Sequence, residues 1–146
     1  MELRTEYEGT AKRILVVDDD IDLLMLLERC LLKEGYDVDT AASLFEAEEI
    51  LPYFSPHLLL VDINVHGEDG RQLCWKWKKQ QEKDVKIIIM SGYDYDVGRA
   101  VLFGADDLVT KPLYVEYLLL RIKSLLNEET TPFVPAVIIE SENRQE

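Results

Sequence analysis

Short runs of Val, Ile and Leu alternate along this chain with longer segments in which apolar residues recur every three to four positions. The first run, Arg13 to Val17, predicts a strand. Asp20 is placed to N-cap a helix with apolar positions Ile21, Leu24, Leu27, Leu31 and Leu32, which Gly35 ends. A second strand covers about Asp37 to Ala41. Ser43 opens a short helix, with Glu46 completing a capping-box pattern, that should stop near Pro52. His57 to Val61 is apolar enough to be a strand buried on both faces. After a loop from Asp62 to Asp69, a helix runs from Gly70 to about Gln81, and Val85 to Met90 is the fourth strand. A weak helix from about Tyr95 to Phe103 contains Gly98 and stops at Gly104. The short strand Asp107 to Thr110 and a helix from Leu113 to Leu126 close the pattern.

Strict alternation of this kind predicts an α/β fold: a doubly wound, five-stranded parallel sheet with five helices, joined by right-handed crossovers. In such sheets ligands bind at the carboxyl ends of the strands, so the chemistry should be sought there. The ends of the chain differ from its middle. Residues 1–11 form a polar leader and 128–146 an acidic tail or linker, around a domain at 12–127.

A length of 146 residues suits one domain with a real core. Sixteen Lys and Arg against 29 Asp and Glu, a net charge of −13, argue against direct binding of nucleic acid or anionic lipid. Cys30 and Cys74 lie in helical patterns without metal-ligand spacing, so neither a disulfide framework nor a zinc site is indicated. No apolar run is long enough to span a membrane, and the opening MELRTEYEGT lacks the pattern of a signal peptide. A cytoplasmic protein is the expectation.

The strand ends carry Asp18, Asp19 and Asp20 after the first strand, Asp62 after the third, Ser91 after the fourth and Lys111 after the fifth. Acids at the ends of neighbouring central strands repel unless a hard cation lies between them, and carboxylate oxygens suit Mg²⁺ or Mn²⁺. A hydroxyl and an ammonium facing the same place are suited to phosphoryl oxygens, which leaves Asp62 as the attacking carboxylate. Any one of these residues alone reads more readily as a cap, a turn or a solvated loop residue. Four strand ends with fitting chemistry in order do not.

The segments ILVVDDD (14–20), SPHLLLVDINVHGEDG (55–70), IIIMSG (87–92) and GADDLVTKPL (104–113) resemble the receiver domains of two-component response regulators. The resemblance covers about residues 12–127 and implies the CheY-like, flavodoxin-like strand order 2-1-3-4-5. It implies that Asp62 takes a phosphoryl group from a sensor histidine kinase, a histidine phosphotransfer domain or a small donor such as acetyl phosphate. Asp18 and Asp19, with Asp62 and the backbone carbonyl of Asn64, match the Mg²⁺ ligands. Ser91 matches the switch hydroxyl, Gly92 its small neighbour and Lys111 the phosphoryl-binding lysine, with a cis bond before Pro112. Gly70, eight residues after Asp62, matches the loop glycine.

Two positions depart from that pattern. His66 stands where the family usually has Pro, which suggests a less rigid loop, although a solvent-facing histidine is the simpler expectation. Leu108 replaces an aromatic residue whose ring reports activation in many members, so the output face is expected to differ. The interval from Ser91 to Lys111 is also short for the family.

Trp75, Trp77, Lys76, Lys78, Lys79, Lys83 and Lys86 read as core residues plus a solvated lysine face rather than a nucleic-acid surface. The run TTPFVPAVIIE after Asn127 is loose tail, docking strand, dimer contact or linker. Three functions compete. The first is a phosphorelay switch that forms an aspartyl phosphate, dephosphorylates itself, acts on no external substrate and signals to a downstream protein as a monomer or a phosphorylation-dependent dimer. The second is a small-molecule phosphatase, disfavoured because no cap domain is present and Asp62 would have no role. The third is a receiver fold that binds partners independently of phosphorylation.

Overall fold

Leu58–Asp62 is buried along its whole length and forms the centre of the main sheet. A computed structural model of the chain describes residues 11–80, 84–92 and 104–128. In chain order the elements are β1 (Arg13–Val17), α1 (Ile21–Lys33), β2 (Asp37–Ala41), α2 (Leu44–Phe54), β3 (Leu58–Asp62), β4 (Asn64–Val65), β5 (Glu68–Asp69), α3 (Gly70–Gln80), β6 (Lys86–Ser91), β7 (Asp107–Thr110) and α4 (Val115–Leu125). The five main strands are parallel in the order β2-β1-β3-β6-β7. With the small β4–β5 hairpin set aside, this is the expected order. The predicted helix at Tyr95–Phe103 lies outside the described residues, among which there are four helices rather than five.

Side-chain alternation along each strand divides the core in two. Leu15, Val17, Leu59, Val61, Ile87 and Ile89 face α2 and α3, meeting Ala47, Leu51, Leu73, Cys74 and Trp77. Ile14, Val16, Leu58, Leu60, Ile88 and Met90 face α1 and α4, meeting Leu24, Leu27, Leu31, Leu118 and Ile122. Each buried Leu of β3 contributes about 2–3 kcal/mol. Truncating Leu60 to Ala should cost about 3 kcal/mol.

Several local expectations need correction. Ile21 and Leu32 are 54% and 52% exposed, because α1 buries its Leu24–Leu27–Leu31 stripe against the sheet, with Leu23 partly buried beside it. Helix α2 passes Pro52 and ends at Phe54. Proline near the last turn costs one intrahelical hydrogen bond, and the next N–H donors carry on: Ser55, in the left-handed region at φ 49°, donates to the Leu51 carbonyl at 2.9 Å. The Arg13 Nε donates to the carbonyls of Phe54 and Ser55, which closes that helix end. The loop after Asp62 folds as a two-residue hairpin. His66 and Gly67 occupy its turn with φ of 52° and 79°, as a type I′ turn requires. Proline cannot adopt that φ, so this turn depends on the departure at His66. Helix α4 starts at Val115, two residues later than expected.

Cys30 is half-buried, while Cys74 is buried and its thiol is pushed up to about 12, mainly by burial, which makes it unreactive. Two of the three lysines of α3 are engaged with acids. Lys76 reaches Glu48 at 2.8 Å and Lys78 reaches Asp106 at 3.2 Å, while Lys79 sits over the half-exposed ring of Trp75. Lys83 and the tail from residue 129 lie outside the described residues. Among the described residues no helix is long and apolar enough to cross a membrane.

Candidate functional site

Three consecutive acids at the end of β1 do three different jobs. Asp18 continues the sheet, its N–H donating to the Ala41 carbonyl at 3.1 Å, and its side chain is fully buried. One carboxylate oxygen accepts from the Asp20 N–H at 2.9 Å and the other from Lys111 Nζ at 2.8 Å. Asp19 leans toward the β4–β5 hairpin and accepts from the backbone N–H of His66 at 2.8 Å. Asp20 caps α1 by accepting from the Leu23 N–H.

Asp62 is the last residue of β3, paired opposite Met90, and 7% exposed. Its Oδ2 lies 3.3 Å from Lys111 Nζ, and its Oδ1 makes a long 3.5 Å contact with the Asn64 N–H. Burial, and then the charge of Asp18, hold the Asp62 carboxyl above the usual carboxylate range against the opposing pull of Lys111. For Lys111, burial is the largest single influence and acts downward. The hydrogen bonds and charges of Asp18 and Asp62 together outweigh it, so the ammonium is held above its ordinary value. Lys111 is tied to the sheet by its N–H, which donates to the Ser91 carbonyl at 2.6 Å, and the bond to Pro112 is cis, as expected.

Oxygens of Asp18, Asp19 and Asp62 lie within 4.8 Å of one another. Three hard oxygen donors, served by one ammonium that touches two of them, leave negative charge for a divalent cation to balance. The set fits Mg²⁺ or Mn²⁺. The side chain of Asn64 is used elsewhere: its Oδ1 accepts from the Gly67 N–H at 2.9 Å.

Above these groups is a cleft of about 530 Å³ whose lining includes Asp19, Asp62, Asn64, Ser91, Gly92 and Lys111. Sequence reasoning named all six, and also Asp18, which is fully buried and is not part of the lining. Ser91 closes β6 opposite Thr110 and is 1% exposed. A Cβ on Gly92 would meet nothing within 4 Å, whereas one on Gly70 would lie 2.0 Å from the Asp62 carbonyl oxygen. The loop glycine is thus needed for close approach of α3 to β3. His66 and Leu108 do not line the cleft. The His66 side chain is 63% exposed, with Nδ1 3.8 Å from Asp19, and Leu108 packs partly buried against the α2–α3 side of the core.

Sequence reasoning missed Asp69 and Arg71, which line the same cleft. They form a two-point ion pair, and the hydrogen bond from Arg71 holds Asp69 below its ordinary range. The available signal was position: both flank Gly70, the residue pressed against Asp62.

Solved structures match this fold over most of the chain. A two-component response regulator from Clostridium difficile is 27% identical, with a TM-score of 0.75 over 82% of this chain and 99% of that one. The response regulator signal receiver domain from Bermanella marisrubri is 34% identical, with a TM-score of 0.73 over 80% of this chain and 99% of that one. The BeF3-activated N-terminal receiver domain of RstA from Klebsiella pneumoniae is 29% identical, with a TM-score of 0.70 over 77% and 96%. A family model described as the response regulator receiver domain matches residues 14–123. With acids at the ends of β1 and β3 and a lysine after β7 meeting in one cleft, the chain belongs to the response regulator receiver domains of two-component signalling.

Proposed function

We propose that this chain is a phosphorylation-controlled switch with Asp62 as phosphoacceptor. The observation that carries the reading is the position of Asp62. It ends the central strand, faces an open cleft, and shares one ammonium with a fully buried aspartate.

Asp18, Asp19 and Asp62 would hold Mg²⁺ or Mn²⁺, which when bound supplies charge neutralisation for the phosphoryl oxygens. The chain's own residues do the rest. The buried wall of β3 fixes the Asp62 carboxylate so that one oxygen faces the incoming phosphorus. Lys111 carries a positive charge at the Asp62 oxygen and is placed to pair with the transferred group. Ser91, one strand away, can turn its hydroxyl to a phosphoryl oxygen. That contact exists only in the phosphorylated state, so it shifts the population between packings of the face that β7 and α4 help to form. Hydrolysis of the aspartyl phosphate at the same site resets the switch, and no external substrate is turned over. The donors are a sensor histidine kinase, a histidine phosphotransfer domain or a small acyl phosphate, and the output is a contact with a downstream protein.

The test is intact-protein mass after incubation with acetyl phosphate and Mg²⁺. A gain of one phosphoryl group in the wild type, absent from Asp62→Ala and from an EDTA control, is the expected result. No gain from acetyl phosphate or from a panel of phosphorylated kinases would favour a receiver fold that binds its partners without phosphate.

A further inference from the structure

Four of the nine large apolar residues that the described chain leaves exposed lie on one helix. On α1, Ile21 and Met25 are each 54% exposed, Leu32 is 52% and Leu26 is 47%. Ile21, Met25 and Leu32 fall within about 40° of one another around the helix axis, outward of the buried Leu24–Leu27–Leu31 stripe. Arg29 and Lys33 share that outer side. Both are exposed, and neither makes an ion pair among the described residues. Elsewhere Lys76, Lys78, Lys86, Lys111 and Lys123 all meet carboxylates. An exposed apolar patch edged by polar groups marks a contact surface. The end of the described chain lies close to it. Glu128 accepts from the Tyr36 hydroxyl at 2.6 Å, and the Tyr36 N–H donates to the Leu31 carbonyl at 3.2 Å. Lys123 reaches Glu34 at 3.1 Å in the same corner. Residues 129–146 therefore continue from the C-terminal end of α1.

We propose that the outer face of α1 is the docking surface for the chain's own segment Phe133–Ile139. That segment, FVPAVII, carries no charged or hydrogen-bonding side chain, and Pro132 and Pro135 favour an extended backbone over a helix. The lengths agree. Residues 129–132 span up to about 13 Å from Glu128, enough to reach the level of Leu32. Seven extended residues then cover about 23 Å, against about 17 Å of α1 from Leu32 back to Ile21. With Phe133 level with Leu32, Val137 falls about level with Met25. Charge agrees as well. The tail from Glu129 holds Glu140, Glu142 and Glu146 besides Glu129 itself, with only Arg144 opposed, and Arg29 and Lys33 are the cations that complement it. A segment tethered at Glu128 acts at an effective concentration in the millimolar range, which favours it over a second copy of the chain at this face.

The experiment is disulfide trapping in the full chain, at dilute protein concentration and in a Cys30→Ser background, with the buried Cys74 left in place. It compares the pair Met25→Cys/Val137→Cys with the pair Tyr53→Cys/Val137→Cys. Tyr53 is 91% exposed near the end of α2, which packs on the opposite face of the sheet, so it samples a free tail without belonging to the surface. Under a mild oxidant the Met25 pair should close within one chain at least about tenfold faster than the Tyr53 pair, as a docked segment exceeds a merely tethered one. Equal rates leave the face to a separate protein and overturn the proposal. Disulfide-linked dimers from the Met25 pair, in place of closed monomer, overturn it by assigning the face to a second copy. Should the cysteine variants lose their native circular dichroism, the isotope-labelled methyl resonances of Met25 and of the fully buried Met90 decide, measured in the wild-type chain and in Val137→Asp. The tail substitution should shift Met25 and leave Met90 in place, and an unmoved Met25 resonance overturns the proposal.

Discussion

The Lys111 ammonium donates to Asp18 at 2.8 Å although β3 and β6 lie between their strands in the sheet. Three strand spacings separate β7 from β1, about 14 Å at the sheet itself. The two side chains therefore meet by leaning over the end of β3 from opposite sides, and Asp62 lies beneath the meeting point, 3.3 Å from the same ammonium. One cation ties together three strand ends.

Removing that cation should be costly without metal. Lys111→Met leaves Asp18 fully buried beside Asp62 with no positive partner, and a loss of about 2 kcal/mol is expected, less than for a fully buried pair because Lys111 is 26% exposed. Urea unfolding with and without Mg²⁺ measures it. The deficit should shrink when Mg²⁺ is present, and a midpoint equal to wild type in EDTA would refute the electrostatic account.

Asp62→Asn should act in the opposite direction. The Asp62 carboxyl is raised in the folded chain by burial and by Asp18, so the folded state binds its proton more tightly than the unfolded state does. Its contribution to stability is full below the unfolded value and is lost as pH rises through the folded value. At neutral pH in EDTA the neutral variant should melt higher, by about 3 °C. That advantage should fade as the pH is lowered through the Asp62 titration. A constant difference across pH would contradict this assignment.

Asp19 is the ligand candidate at the cleft surface, held by the His66 N–H rather than by Lys111. Asp19→Asn should weaken Mg²⁺ binding at least about tenfold in titration calorimetry while leaving the Lys111–Asp18 pair intact. Wild-type affinity in this variant would remove Asp19 from the metal set.

Two glycines of the site should respond differently to the same change. Gly70→Ala puts a Cβ 2.0 Å from the Asp62 carbonyl oxygen, so either β3 or α3 must move, at a cost of about 2–3 kcal/mol. Gly92→Ala meets open space and should leave the melting temperature within about 2 °C of wild type. Calorimetry on the pair would expose an error in the packing if their effects were alike.

The segments easiest to read in the sequence were those whose environment is uniform. The runs Leu58–Val61 of β3 and Ile87–Met90 of β6 are wholly apolar because both faces of a central parallel strand are covered, and both strands appeared within one residue of their expected limits. Helix α1 shows the converse. Its sequence is apolar nearly all round, so periodicity alone did not single out Leu24, Leu27 and Leu31 as the buried stripe or leave Ile21 and Leu32 outside. The hairpin after Asp62 was also hidden, because its turn places a histidine at positive φ where residue preferences favour Asn or Gly.

The sequence by itself determined the alternation of strands and helices, the candidate site at one rim of the sheet, and the chemistry of that rim, since strand-end position follows from local periodicity and each side chain carries its chemistry wherever it lies. Tertiary structure decided which charges meet. Asp18 and Lys111 are 93 residues apart, and only the sheet order brings them together over Asp62. Likewise, Asp69 and Arg71 became part of the cleft only because Gly70 lets α3 press against β3. Electrostatic partnership depends on distance in space, which no periodicity along the chain encodes.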